Sequence, residues 1–540
     1  MKRWTKLFTP LTALVMSLAF FMLTGQKLSA AGKALNVMID VEVASLDPQI
    51  ATDGTSFEVI RQLVDGLYGL DADGMYRPNI AKSVEKSPDG LKYTFKLADE
   101  AVWSNGTPVT AHDFVFAWRR LVDPKTASEY NFIMETAGVK NAQAITKGEL
   151  APTELGVKAL DDKTLEVVLD VPVPYFESLM FFPPFFPVNE KFYNEAGGNF
   201  GTSAATYLSN GMFVLSEYEP AATSFKLVKN EKYYKKDKVA LSGINYQVIK
   251  DSQQAVLSYQ NGDIDVMTLH GEQAEQFVDD PEFIKVQRGY LWYISPNLKT
   301  KGLDNLNIRK AMAQAFDKKA VVEIILKDGS LVADYNVPVR LAIGPDGKDF
   351  RETSPTYNSY DVAAAKKNWE AGLKELGVKE LKFSMVVEDT ESAQNVAQFL
   401  QEQLQTNLPG LTITLEVMPK KNRLLRMQNG EYELGLTRWG PDYADPMTYL
   451  DMWITDSPYN YGKYSNPAYD AMIVDAKKGK LATDINARWE ELKKAEKISA
   501  DDVVIMPIYQ NSDAALVKSN IKGMAYHLMG GRVYKDVVKE

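Results

Sequence analysis

The stretch Leu434-Gly435-Leu436-Thr437-Arg438-Trp439-Gly440-Pro441-Asp442-Tyr443-Ala444-Asp445-Pro446 reads as an apolar strand running into a bend. Gly440 frees the backbone there and Pro441 stiffens it. The bend delivers Asp442 and Tyr443 to a strand end, the place where open α/β sheets bind ligands. A carboxylate beside aromatic rings suits an ammonium group, through an ion pair and cation–π contacts. An ordinary turn, with Asp442 capping the next segment, explains the same residues.

Working outward, strand and helix patterns alternate along the chain, which predicts a mixed α/β architecture. Ala34 to Val41 is a β-type run that stops at Ser45-Leu46-Asp47-Pro48. Apolar spacing predicts a helix over Ser56 to Leu67. Thr110, with Asp113 three residues on, predicts the capped start of another. Gly156 to Asp170 reads as two strands joined at Asp161-Asp162, and residues 223–250 as further strands. Helices are predicted over Gln253 to Asn261, Asn307 to Asp317, Val362 to Leu376 and Thr390 to Leu404, with strands at Leu381 to Val387 and Leu411 to Val417. The tract Phe181 to Pro187 is too proline-rich for an α-helix. No low-complexity linker appears, so domains are expected to be joined by short crossing strands.

The chain has 540 residues, no cysteine, three histidines and a formal charge of −10. At roughly 150 residues per domain this suggests three or four domains or lobes. Without cysteine there is no thiolate zinc site, iron–sulfur cluster or thiol nucleophile. The acidic balance speaks against phosphate-backbone binding, so no nucleic-acid partner is expected. Nucleophile-elbow, phosphate-loop and H-E-x-x-H motifs are all absent from the sequence. His112, His270 and His527 are scattered, and neither metal nor cofactor is expected. Pairs such as Asp442 and Asp445 are too common in an acidic chain to imply acid–base catalysis. The protein is therefore read as a non-enzyme.

Residues 1–31 form an export signal. Lys2, Arg3 and Lys6 precede the largely apolar run Leu11–Leu23, and Ser29-Ala30-Ala31 offers a cleavage site. Leu23-Thr24-Gly25 opens like a bacterial lipoprotein box, but Gln26 stands where the lipidated cysteine belongs. The protein is read as exported, to the cell surface or the extracytoplasmic space, with a lipid anchor doubtful.

Several further segments carry a specific resemblance. They include Val64-Asp65-Gly66-Leu67, Trp103 to Phe114, Val171-Pro172-Val173-Pro174-Tyr175-Phe176, Ser209-Asn210-Gly211, Gly262-Asp263-Ile264-Asp265, Asn307 to Ala311 and Met506-Pro507-Ile508-Tyr509, besides Trp439 to Pro446. In this order the chain resembles the extracellular solute-binding proteins of family 5, the oligopeptide-binding receptors of bacterial ABC importers. The resemblance implies a two-lobed periplasmic-binding-protein-like α/β fold with a third inserted domain and a two-segment hinge. It implies lobe I over 32–64, 191–295 and 513–540, the inserted domain over 65–190, and lobe II over 296–512. It also implies capture of extended oligopeptides between the lobes, delivery to membrane permease subunits, and a monomer. By position, Asp442 matches the carboxylate that binds the peptide α-ammonium, with Tyr443 beside it. Trp439 and Gly440 match backbone that pairs with the peptide, Thr52, Asp53 and Gly54 the opposite edge, and Tyr130 a lining ring. Asn511 falls where relatives carry a ligand-contacting tyrosine. Ala393 and Met427 stand where some relatives place His or Arg near the peptide C-terminus. Lys420, Lys421, Arg423 or Arg426 would supply the cation instead, unless they form a solvated basic face. The alternatives are a dedicated signalling-peptide receptor on the same fold, or a relative tuned to another cargo such as a nickel chelate.

Overall fold

The computed structural model describes residues 32–71, 75–269, 271–529 and 531–540. The expected export signal, Gln26 and His270 lie outside the described residues.

One eleven-stranded sheet organises both lobes. On one side lie Leu411–Met418, Leu381–Glu388 and Leu434–Trp439, the first two parallel in register from Leu381↔Leu411 to Glu388↔Met418. On the other lie Val266–Leu269, Ala34–Ile39, Gly243–Val248, Ser224–Lys229 and Phe213–Glu217. Two long antiparallel strands, Phe283–Pro296 and Met506–Val517, cross the middle and pair along nearly their whole length. The first turns its far end onto Leu434–Trp439, with Leu291 opposite Trp439. These two strands connect the two sides of the sheet. Their pairing breaks between Gln287 and Leu291, so Arg288, Gly289 and Tyr290 bulge out of the ladder at mid-strand.

The local chemistry explains the elements that hold this sheet. Glu391–Asn407 covers one face with Ala393, Val396, Ala397, Leu400 and Leu404, all buried at helical spacing. Val362–Leu376 starts on Asp361, whose carboxylate accepts the Ala364 N–H at 2.9 Å, and ends at Gly377 with φ 68°. Asp361→Ala is therefore expected to cost about 1 kcal/mol, measured by denaturant unfolding. A separate four-stranded antiparallel sheet, Ala81–Lys86, Lys92–Leu97, Thr164–Val168 and Val157–Asp161, stands with the helix Ala111–Val122. That helix has the capping box that Thr110 and Asp113 predict.

Some boundaries differ from the sequence reading. The helix predicted over Ser56 to Leu67 is Gly54–Leu63, beginning at the Asp53 cap and ending before the extended Val64. Between Ser224–Lys229 and Gly243–Val248 the chain leaves the sheet through a 3₁₀ turn at Lys236–Lys238. The Phe181–Pro187 tract holds one 3₁₀ turn, Pro183–Phe185, since two prolines suit its first positions.

Candidate binding site

Asp53 shows how local folding builds one wall. As N-cap of Gly54–Leu63 its carboxylate accepts the Thr55 and Ser56 N–H groups at 3.1 and 3.2 Å. The Ser56 hydroxyl adds a bond at 2.6 Å, and Lys420 Nζ reaches it across the cleft at 3.0 Å. Burial would raise the pKa of Asp53; the Lys420 charge and these bonds outweigh it and hold the group below the usual carboxylate range. The side chain is thus occupied, and Thr52, Asp53 and Gly54 form an edge of the cleft.

The opposite wall is the end of Leu434–Trp439. The Trp439 indole N–H donates to the Thr448 carbonyl at 3.0 Å, and its ring meets Tyr459 at 4.6 Å between centroids. Past the bend, the Asp442 N–H donates to the Thr448 hydroxyl at 3.0 Å, which aims the carboxylate. Tyr130 Oη donates to Asp442 Oδ1 at 3.2 Å. Among the described residues no ion pair forms with Asp442. Burial pushes its pKa well above the ordinary value, only partly offset by the Tyr130 bond and the charge of Arg61. Asp445, three residues on, is the reverse: Arg488 holds both its oxygens at 2.8 and 2.9 Å. Asp445 is thus spent in an ion pair, whereas Asp442 has none among the described residues.

Asp442, Trp439, Gly440, Tyr130, Thr52, Asp53 and Gly54 therefore converge on one cavity of about 820 Å³, otherwise lined largely by Phe57, Phe182, Tyr290, Tyr293, Tyr459 and Tyr461. Two expected residues stand elsewhere. Tyr443 lies behind the wall, stacked on Tyr175 at 4.5 Å and fully buried, because the bend turns alternate side chains to opposite sides. Asn511 borders a neighbouring space of about 1000 Å³, with Arg288, Lys420, Arg438 and Asp513. The two spaces share Gly54, Tyr290, Lys420 and Arg438, so they are parts of one elongated cleft.

Of the four candidate cations, Lys420 and Arg423 reach the cavity. Lys421 is exposed, and Arg426 turns to Glu416. Sequence reasoning missed the group that fixes this wall. Glu388, 2% exposed, accepts Arg438 Nη1 at 2.7 Å and pairs with Arg423 Nη2 at 3.3 Å. Burial alone would raise the Glu388 pKa; Arg438 and Arg423 overcome it and bring it to about 2. Arg438 also lies 4.6 Å over the Trp292 ring. The signal was thin: a glutamate ending an apolar strand and an arginine inside one.

Contacts flank the cleft on several sides. Lys250 bridges Glu42 and Asp389 at 3.1 and 2.9 Å, the Ser252 hydroxyl donates to Glu391 at 2.7 Å, and Lys478 donates to Glu135 at 2.8 Å. The walls are therefore closed onto each other.

Comparison with known proteins gives consistent results. Residues 75–461 match the family described as bacterial extracellular solute-binding proteins, family 5 Middle. The dipeptide-binding protein of Lactococcus lactis subsp. cremoris is 34% identical over 534 residues, 96% of each chain. The oligopeptide-binding protein OppA of Bacillus subtilis is 32% identical over 515 residues, 93% of this chain and 91% of that one. The structure of Listeria monocytogenes OppA bound to peptide superposes with a TM-score of 0.90 at 40% identity, covering 94% of this chain and 99% of that one.

Proposed function

The chain belongs to the bacterial extracellular solute-binding proteins of family 5, and from that premise we propose that it captures oligopeptides between its lobes and hands them to an ABC-importer permease. The observation that carries this reading is Asp442. A buried carboxylate with a raised pKa and no ion pair is costly by itself. A peptide α-ammonium placed against it supplies the missing charge, and Tyr130 and Trp439 wall off water.

The rest of the mechanism follows from the two edges. A peptide main chain laid between Thr52–Gly54 and Trp439–Gly440 would bond to backbone, as in strand addition, giving affinity without reading side chains. Side chains would sit among rings and water, which adapts to each sequence. Closure would bend the two crossing strands, and the ligand would bias it through contacts made only when the lobes meet. The peptide leaves unchanged, so the role is transport, with the protein acting as a monomer outside the cytoplasm. Nothing at the site favours a dedicated signalling receptor or a chelate-binding relative.

The direct test is native mass spectrometry of protein purified from its own host, followed by thermal shift with a panel of free-amine peptides. Co-purified peptides and upward shifts are expected. No peptide and no shift would overturn the reading. Lys420→Met should also weaken peptide binding, by about three- to fivefold, because it removes a charge-assisted bond across the closed cleft worth on the order of 1 kcal/mol. Isothermal titration at several salt concentrations checks it: the variant should lose part of the salt dependence.

A further inference from the structure

The two edges named above are not open to each other. Tyr290 stands between them. A methyl carbon added to Gly54 would lie 2.1 Å from the Tyr290 hydroxyl oxygen, and one added to Gly440 would lie 2.3 Å from its ring. The ring therefore rests on Gly440 while its hydroxyl abuts Gly54, filling the gap between the first edge and the second. It also borders both parts of the cleft, the aromatic part holding Asp442 and the polar part holding Asn511 and Arg288.

The backbone beneath this ring is free of the ladder. Gln287 pairs with Ser512 and Leu291 with Gln510, so Arg288, Gly289 and Tyr290 together face only Asn511. Pairing with the second-lobe strand begins at Leu291. The bulge is held instead through Gly289, whose N–H donates to the Leu528 carbonyl at 3.0 Å and whose carbonyl accepts the Tyr449 hydroxyl, which leaves the Tyr290 side chain to turn about its own bonds. It sits, moreover, on one of the two strands that bend on closure.

We propose that Tyr290 is a displaceable plug that selects peptides by length. This rests on the peptide-binding reading. A chain anchored at Asp442 advances about 3.3 Å per residue, and Gly440 lies only two residues from Asp442. About two peptide residues fit before the main chain meets the ring. A longer peptide must turn the ring out of the gap to reach the polar part of the cleft, and a dipeptide need not. If the ring lies in the gap nine-tenths of the time, apparent affinity for longer peptides falls about tenfold.

The experiment is isothermal titration of alanine peptides of two to six residues against wild type, Tyr290→Ala and Tyr290→Phe. Tyr290→Ala is expected to tighten binding of tetra- to hexapeptides about five- to tenfold relative to its effect on a dipeptide. Tyr290→Phe keeps the ring and should match wild type. Unchanged or weaker binding of long peptides by Tyr290→Ala overturns the plug. Equal tightening at every length overturns the length selection. Should Tyr290→Ala melt several degrees below wild type, Tyr290→Leu is read by the same criteria. If wild type binds none of the peptides, the peptide-binding reading itself fails, a result distinct from a flat comparison among the variants.

Discussion

Replacing Asp442 by alanine is expected to weaken binding of a free-amine peptide by about 10- to 150-fold. The figure is the worth of a hydrogen bond to a charged group, about 1.5–3 kcal/mol. An N-acetylated peptide of the same sequence should bind wild type weakly and lose little more in the variant. Isothermal titration at pH 7 checks both, and unchanged affinity for the free amine would remove the ammonium role. The pH dependence has a definite sign. Asp442 is held well above its ordinary value of 3.8 by burial, and a protonated carboxyl cannot pair with an ammonium. Affinity should fall as pH falls through that raised pKa, starting at a higher pH than an ordinary aspartate would give. Asp442→Asn should flatten the profile. For folding the sign reverses: with the native pKa above the unfolded one, stability from this group grows as pH falls through the raised value.

Glu388→Ala is expected to cost about 3–5 kcal/mol of folding stability. It leaves Arg423, 1% exposed, and Arg438 facing each other without their shared counter-charge. Burial opposes ionisation of Glu388, yet Arg438 and Arg423 bring its pKa from 4.5 to about 2. A depressed native pKa means stability fully present above 4.5 and lost as pH falls from 4.5 toward 2. At 1.36 kcal/mol per unit this is roughly 3 kcal/mol, in line with the mutational figure. Urea unfolding of wild type and variant between pH 7 and pH 3 measures it. A loss below about 1 kcal/mol at pH 7 would mean that the two guanidiniums find other partners.

Much of this was legible in the chain. Periodicity placed the helices near Gln253–Asn261, Val362–Leu376 and Glu391–Asn407, because each has one buried stripe and a polar cap. Helix ends went astray where tertiary contact decided them, as at Val64, which becomes extended after Leu63. The candidate cleft was legible where one short segment carries it: Trp439, Gly440 and Asp442 lie within four residues and line one space with Thr52–Gly54 and Tyr130. Tyr443 failed because adjacent residues share a motif but not a direction. Tyr290 gave no signal, since an aromatic in an apolar strand looks like core until a bulge lifts it out.

The sequence by itself determined the α/β class, the absence of thiol chemistry, the bend that presents Asp442, and the cap that starts a helix at Thr110. These depend on residues near one another in the chain. Tertiary structure alone decided which carboxylate is available. Asp442 and Asp445 look alike in sequence, yet Arg488, 43 residues beyond Asp445, neutralises one, while the other is buried with no ion pair among the described residues. The cost of a buried charge depends on every group folded around it, and those groups come from the whole length of the chain.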